Sequence, residues 1–464
     1  MIAGLKPYAK YKDSGSKWLG LVPDGWQVRS LRSLIGKRAE RNRQDLPLLS
    51  VAREKGVFVR SLTDADENHN VIPDDLSNYK VARAGNLVIN KMKAWQGSMG
   101  IAPCDGIVSP AYFVFDLRLA NVAFGQRLLC SKPYVAHFAQ ASDGVRVGQW
   151  DLSIPGMREI PVLVPSPNEQ ATIVRFLNHA NRKIDGFIRI KRRLIALLNE
   201  QKQAIIHRAV TRGLDPAVPL KPSGIEWLGD IPAHWIACPL KRTLSKIDYG
   251  TSEGSTADGR FRVLTMAHVR NGRVFVPESG GIDAIPSGLE LKVGDLLFNR
   301  TNSPELVGKV GLFSEASAEP VTFASYLVRL RVTSEYNSRW LSYVLNAAGF
   351  LAYARSQAFV SLHQANLSSS RYSRMSIPVP PRSEQDVLAE MIQEQTRLMD
   401  AAIARTEREI ALMQEYRTRL TADVVTGKLD VRAAAASLPE IVDTTADEAV
   451  IEETVDELEF EDTE

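Results

Sequence analysis

Residues 12–26 read KDSGSKWLGLVPDGW and residues 221–235 read KPSGIEWLGDIPAHW, with Lys, Ser, Gly, Trp, Leu, Gly, Pro and Trp in the same eight places. The offset of 209 that takes Trp18 to Trp227 also carries AGNLVIN (84–90) onto VGDLLFN (293–299). Farther on, IPVLVPSPNEQ (160–170) meets IPVPPRSEQ (377–385), and Glu169–Gln170 matches Glu384–Gln385 at an offset of 215. That offset then holds through Ile195–Leu198 against Ile410–Met413 and VTRGLD (210–215) against VTGKLD (425–430). One unit of about 210 residues is therefore written twice, with a few residues inserted or lost in its middle. Repeats this large are domains, so the chain must build two like ones.

Each unit opens with short β-rich runs such as AYFVFDLRL (111–119) and ASYLVRLRV (324–332), broken by Gly, Pro, Asn and Asp at turns. Each closes in one long helix. Ser166-Pro167-Asn168-Glu169 is a helix start, with Ser as N-cap, Pro at the first position and Glu completing a capping box; Ser383 and Asp386 are the expected counterparts. Leu177, Ala180, Ile184, Phe187, Leu194, Leu198 and Ile205 then form a stripe interrupted by Lys191 and Gln201, and Leu388, Ile392, Met399, Ile403, Ile410, Met413 and Leu420 form a second. Leu177, Ile184, Leu198, Ile392, Met399 and Met413 are the expected structural positions. About 40 residues of helix span about 60 Å, longer than the surface of one domain, so each stripe is expected to bury against its counterpart in the other repeat. The exchange of equivalent surfaces implies an approximate two-fold axis and antiparallel helices. The competing arrangement folds each helix onto its own domain.

The expected fold class is α+β: two mixed α/β domains related by pseudo-two-fold symmetry, separated by two long antiparallel helices in a coiled coil. The boundaries are 1–165 for the first domain, 166–213 for the first helix, 214–381 for the second domain, 382–427 for the second helix, and 428–464 for an acidic, disordered tail.

Charge is unevenly spread along the chain. From Asp443 to Glu464 there are eleven acidic residues and no Lys or Arg; without them, 57 basic side chains stand against 43 acidic ones. A basic body with an acidic tail is the charge layout of a nucleic-acid binder, and also of a protein with a solubilising tail. No signal peptide or eighteen-residue apolar run is present, and Cys104, Cys130 and Cys238 form no zinc spacing. A cytoplasmic protein without a membrane partner is expected.

Reactive motifs are missing. There is no G-x-G-x-x-G between strand and helix and no P-loop, since Gly308-Lys309 is followed by Val310 and Gly427-Lys428 by Leu429. Nor is there an Asn/Asp-Pro-Pro-Tyr/Phe of an amino-methyltransferase, and no histidine pair is spaced for metal. One nuclease-like pattern exists, Asp283 followed by Glu290 and Lys292, which gives the alternative of a stand-alone magnesium-dependent DNA nuclease. The residues otherwise read as a binder, with no catalytic or metal site.

The doubled SG-x-x-WLG-x-x-P-x-x-W phrase, GDLLFN, IPVPP-x-x-EQ before a long helix, and the two-unit order together resemble the DNA-specificity subunit of Type I restriction–modification systems, over residues 11–430. The resemblance implies two target-recognition domains, each reading one half of a bipartite, asymmetric site in double-stranded DNA. It implies helices that set the spacer and dock two modification (methyltransferase) subunits, with separate restriction/translocase subunits. S-adenosylmethionine, for methylation, and ATP with magnesium, for restriction, would belong to those partners and not to this chain.

Readers of bases are polar side chains on loops, with basic groups on phosphates. In the first unit the richest loop is NKMKAWQGS (90–98), with Lys91, Lys93, Gln96 and Ser98 and with Trp95 as a stacking surface. Its counterpart NRTNSPELVGK (299–309) holds Arg300, Thr301, Asn302, Ser303 and Lys309. The two loops follow matched strands and diverge at once, as loops reading different bases should. A second pair is GVRVGQWD (144–151), with Arg146 and Gln149, and SLHQANL (361–367), with His363 and Gln364. Trp18, Trp26, Trp227 and Trp235 differ too little between the units to read different half-sites, and are expected to be structural.

Overall fold

A computed structural model describes residues 5–53, 55–60, 72–73, 75–144, 150–215, 217–225, 227–256, 259–361 and 364–439. The segment 428–464, expected as a disordered tail, is corrected at its start: residues 428–439 are ordered, with a short helix at Arg432–Ala436 and with Val431 and Ala435 buried in the first core. Residues 440–464, Arg146, Gln149 and His363 lie outside the described residues. The chain divides into two compact units, Met1–Ile190 with Glu409–Glu464, and Lys191–Arg408. No helix of the described residues is long and apolar enough to cross a membrane.

The first unit is organised by a four-stranded antiparallel sheet in the order Ile35–Lys37, Tyr112–Leu117, Leu87–Asn90, Met99–Ile101. The second unit repeats that order with Leu244–Tyr249, Leu327–Val332, Leu296–Asn299 and Val310–Leu312, then adds Arg273–Val274 and Val269–Arg270 at the edge. The doubled strands Leu87–Asn90 and Leu296–Asn299 are buried on both faces, which is why they read as unbroken apolar runs. Leu87 and Ile89 join the core with Phe124 and Phe138 of two helices, while Val88 points into a second cluster with Leu49 and Val51. Leu296 and Phe298, and Leu297 on the opposite face, divide in the same way.

The other repeated words are folding devices. Asn86 and Asp295 close the turn before these strands, accepting from Arg83 N at 2.9 Å and from Lys292 N at 2.8 Å. Gln170 and Gln385, each 1% exposed, donate to Pro165 O and Pro380 O and accept from Asn121 N and Asn337 N, whose side chains cap the next helices. A buried amide is held on both of its ends at the same place in each unit.

The first long helix runs Pro167–Arg212 and the second Arg382–Val425. Ser166 Oγ accepts from Glu169 N at 3.3 Å, but the Glu169 carboxylate is taken by Tyr8 Oη at 2.8 Å, so the box is not reciprocal. The second helix begins one residue before Ser383. Asp386 accepts from Arg382 and from Asn337, and the first helical amides bond to Pro381 O, so the Ser383–Asp386 start is corrected. In the first unit Ile173, Phe176, Leu177 and Ala180 share a core with Leu420, Val424 and Val425, and Asp185 pairs with Arg417. In the second, Ile206, Ala209 and Val210 share a core with Leu388, Ala389 and Ile392, and Lys202 pairs with Asp400. Within each unit the two helix segments therefore run antiparallel. Each core also takes helix ends, so pairing and folding onto a domain coexist.

The stripe differs in phase from the sequence reading. Phe187 is 56% and Leu194 44% exposed, whereas Ile188 is buried; Lys191, Ile195 and Lys202 are half-buried along the same line. A 3.6-residue turn drifts against a strict seven-residue count, and the buried face moves by one residue after Ile184. On the second helix, Thr396 and Thr406 fill gaps in the apolar stripe. Their hydroxyls donate to Ile392 O and Ala402 O at 2.8 Å, so each is satisfied within its own helix.

Trp26 (1% exposed) and Trp235 (0%) are among the largest side chains in the two cores, and losing either ring would cost about 3–5 kcal/mol. Trp18 and Trp227 are half-buried, edge-on to Tyr134 and Phe350. The doubled tryptophan phrase receives a helix end. Gly213 (φ +72°) ends the first helix, and a methyl group there would lie 3.1 Å from Trp235. Gly427 (φ +77°) ends the second, and a methyl group there would lie 2.5 Å from Pro23 and 3.1 Å from Trp26. In the second unit that helix directly precedes the phrase; in the first it arrives from the far end of the chain. Further bonds seal this closure: Tyr11 Oη donates to Gly427 O (3.1 Å), Asp430 N donates to Lys6 O (2.8 Å), and Arg432 lies over the Tyr8 ring.

Candidate nucleic-acid interface

In the first unit, strand Leu87–Asn90 ends in a turn that leads into a 3-10 helix, Ala94–Gln96. Lys93 and Met92 project outward, Met92 being 53% exposed. Gln96 and Trp95 are half-buried. Ser98 is 3% exposed; its carbonyl accepts from Asn90 N, so it shapes the turn. The second loop meets the first here. Leu152 N donates to Lys91 O at 2.9 Å, Lys91 Nζ pairs with Asp151 at 2.9 Å, and the rings of Trp95 and Trp150 lie 5.3 Å apart.

The second unit makes the matching junction. Leu367 N donates to Arg300 O at 2.8 Å, at the positions that correspond to Leu152 and Lys91 through the two repeat offsets. Thr301–Asn302 is a strand paired with Gln364–Asn366, which pairs in turn with Phe359–Ser361. The two candidate loops thus form one small sheet. Thr301, 7% exposed, is held through its hydroxyl by Asn366 Nδ2 at 3.0 Å. Asn302 Oδ1 accepts from Ser303 N at 2.8 Å, and Ser303 O accepts from Leu306 N and Val307 N, fixing the turn. Gln364 is exposed, as are Phe359 (72%) and Val360 (54%) on the adjoining strand.

Arg300 is half-buried, with its guanidinium 5.1 Å from the ring centre of Tyr249. Tyr249 is itself fixed by a 2.7 Å bond between its hydroxyl and Ser369 Oγ. Arg300 Nε is buried with no hydrogen-bond partner among the described residues, a polar atom that calls for an acceptor. Burial, followed by repulsion from Arg355, lowers the Lys309 amine below its ordinary pKa. A cation held in this way gains from any phosphate or base acceptor that approaches it.

Lys91, Lys93, Gln96, Arg300, Thr301, Asn302, Ser303, Lys309 and Gln364 are therefore gathered into two junctions, one per unit. Tyr249, Trp150 and Phe359 lie beside the gathered residues and were not singled out from sequence. Trp150 could have been found from its place in the second loop; Tyr249 sits in a distant strand, and no local pattern marks it. Asp283 and Glu290 are exposed, and the backbone of Lys292 serves the Asp295 turn. Among the described residues no three His, Cys, Asp or Glu are grouped to hold a metal ion.

No family model matches the chain. A putative type I restriction enzyme MjaX specificity subunit from Methanocaldococcus jannaschii is 23% identical over 171 residues, 36% of this chain. The match spans 40% of that relative's length. A solved chain from work on complex assembly and conformational transition of a type I R-M system is 14% identical, with a TM-score of 0.58, covering 88% of this chain and 99% of its own. The HsdS subunit of Thermoanaerobacter tengcongensis aligns over 87% of this chain and 96% of its own, at 15% identity and a TM-score of 0.39. The chain resembles a type I specificity subunit in sequence, and its fold is that of the first solved chain.

Proposed function

We propose that this chain is the non-catalytic specificity subunit of a Type I restriction–modification complex acting on double-stranded DNA in the cytoplasm. The observation that carries the reading is the repeated junction. Two loops meet at matched positions in each unit, through the same backbone bond, yet present different side chains. That is what a fold reused to read two different half-sites requires. Lys93, Gln96, Arg300, Asn302, Ser303 and Gln364 are the groups offered to bases and phosphates, with Lys91 and Lys309 behind them. Ser98 and Thr301 hold the loops in shape. Arg146, Gln149 and His363 belong to the same second loops and complete the set.

The long helices set the spacer and dock two methyltransferase subunits. Exposed apolar side chains on the helices, Phe187 (56%) and Leu398 (68%) among them, support such docking. The methyltransferase subunits bring S-adenosylmethionine and methylate a flipped adenine in each half-site; restriction subunits bring ATP and magnesium. No observation favours the nuclease reading.

The test is to map methylated adenines in a host that carries this chain with its methyltransferase. A bipartite, asymmetric motif is expected. Exchanging residues 11–160 for another such module should change one half of that motif and leave the other intact. Inserting one helical turn, about 5 Å, in both helices should lengthen the spacer by one or two base pairs. A continuous motif, or one that changes in both halves, overturns the reading.

A further inference from the structure

Behind the Arg300 junction the second unit holds a cavity of about 370 Å³, whose lining includes Tyr353, Gln357, Ser368, Ser370, Arg371 and Arg374. Among the described residues no carboxylate lines it. It is joined to the junction through adjacent residues: Leu367 bonds to Arg300, and Ser369 bonds to Tyr249, over which Arg300 lies. Arg371 uses Nη1 to hold Gln357 O at 2.7 Å, which ties it to the base of the Phe359–Ser361 hairpin, and its amide donates to Ser368 Oγ at 3.3 Å. Ser368 and Ser370 hydroxyls lie 3.3 Å apart. Arg374 is exposed and has no ion-pair or hydrogen-bond partner for its side chain among the described residues.

Two guanidinium groups and two hydroxyls around an acid-free hollow form a receptor for a tetrahedral oxyanion. The repeat gives an internal control. At the offset of 215, Ser370, Arg371 and Arg374 correspond to Pro155, Gly156 and Glu159, and Glu159 instead faces Arg32 at 3.7 Å. The first unit has the same short helix after the same Ser cap, Ile154–Arg158 beside Ser369–Ser373, with no arginine at the two matching positions. The Arg371 and Arg374 pair is therefore not a by-product of the shared fold.

We propose that this cavity takes one backbone phosphate of the DNA next to the half-site read by the second unit, an anchor that has no counterpart at the matching positions Gly156 and Glu159 of the first unit. The proposal rests on the DNA-binding reading above. It makes Arg374 and Arg371 sequence-independent anchors, in contrast to Arg300, which faces the reading surface.

The experiment uses the full chain copurified with its methyltransferase. It measures affinity for a target duplex and a mismatched duplex across a salt series. Arg374→Gln should weaken both duplexes alike, by about three- to tenfold, and lower the slope of log affinity against log salt by about one. Arg374→Lys should recover the slope, and Arg371→Gln should reproduce the loss. Glu159→Gln in the first unit should change the slope far less. An unchanged slope in Arg374→Gln and Arg371→Gln, with Arg300→Ala still relaxing target over mismatch, overturns the phosphate site and leaves the function standing. No preference for any duplex in the unmutated complex overturns the function itself. Inorganic phosphate that protects Arg374 from guanidine-modifying reagents, without any effect of Arg374→Gln on the DNA slope, assigns the cavity to a free anion and also overturns the proposal.

Discussion

The two units solve one architectural problem with different chemistry. At the strand position that is Val114 in the first unit, 2% exposed and apolar, the second unit carries Arg329, fully buried. Its guanidinium is neutralised by Asp248 and donates to Gly288 O and Glu290 O at 2.8 Å. The first unit thus closes its outer cluster by apolar packing, and the second by a charge that ties down the 288–290 segment. Their loop junctions differ in the same sense. Lys91 is balanced by Asp151, while Arg300 lies on Tyr249. The lesson is that a duplicated frame fixes where loops and turns go, and leaves charge placement to each copy.

The largest expected effect breaks the comparison at Arg329. Arg329→Ala removes one partner of a buried pair and leaves Asp248 uncompensated, which should cost about 3–5 kcal/mol. Urea unfolding followed by hydrogen exchange should show the loss in the Leu244–Tyr249 and Leu327–Val332 strands and not in the first unit. Exchange that is equally fast in both units would mean that the pair is not a local tie. Asp248→Ala should produce the same local loss.

The helix ends give a middle-sized effect that ranks the two seams. Gly213→Ala and Gly427→Ala both force a side chain into the left-handed region, at about 1–2 kcal/mol. Only Gly427 also sets its methyl 2.5 Å from a proline ring, Pro23, whereas Gly213 meets Trp235 at 3.1 Å. Rigid ring atoms yield less than a few tenths of an ångström of slide, so Gly427→Ala should cost about 1–3 kcal/mol more. Paired thermal melts would decide it; equal losses would show that the Pro23 contact relaxes.

This ranking also shows what could be read from the chain and what could not. The repeat exposed the two units and the long helices, because their words must recur for the fold to recur; that Asn86 and Asp295 within those words close turns shows only in the structure. It also marks two loops that diverge directly after a matched strand, the ones proposed above as reading loops. The phase of the first helix's stripe is missed after Ile184 because Lys191 and Lys202 stand on the half-buried line, where an apolar count skips them; on the second helix Thr396 and Thr406 leave gaps in the stripe without shifting it. Ser98 and Thr301 looked like readers, since a polar residue in a turn gives no sign of which way it points. Arg329 was invisible for a related reason: LVRLRV alternates as a half-exposed strand would, and only the distant Asp248 and the 288–290 carbonyls let an arginine be buried there.

The smallest effect separates the closures of the two units by pH. Asp430 sits where the chain's end returns to Lys6, and its hydrogen bond from Arg432 holds the carboxyl below the usual aspartate range, against an opposing push from burial. A carboxyl lowered in the folded state stabilises it fully above the unfolded value of about 3.9, and that stabilisation is lost as pH falls through the lowered value. The counterpart in the second unit, Asp215, instead accepts from Ala217 N at 2.8 Å, and an alanine occupies the position of Arg432. Acid should therefore loosen the first closure selectively, by a few tenths of a kcal/mol given its solvent contact. Hydrogen exchange of residues 5–30 and 428–439 at pH 6 and pH 3.5 should show a protection drop of about twofold that Asp430→Asn flattens. If wild type and Asp430→Asn lose protection equally, the returning end is held by its backbone bond to Lys6 and the Tyr11 contact alone, and the charge is incidental.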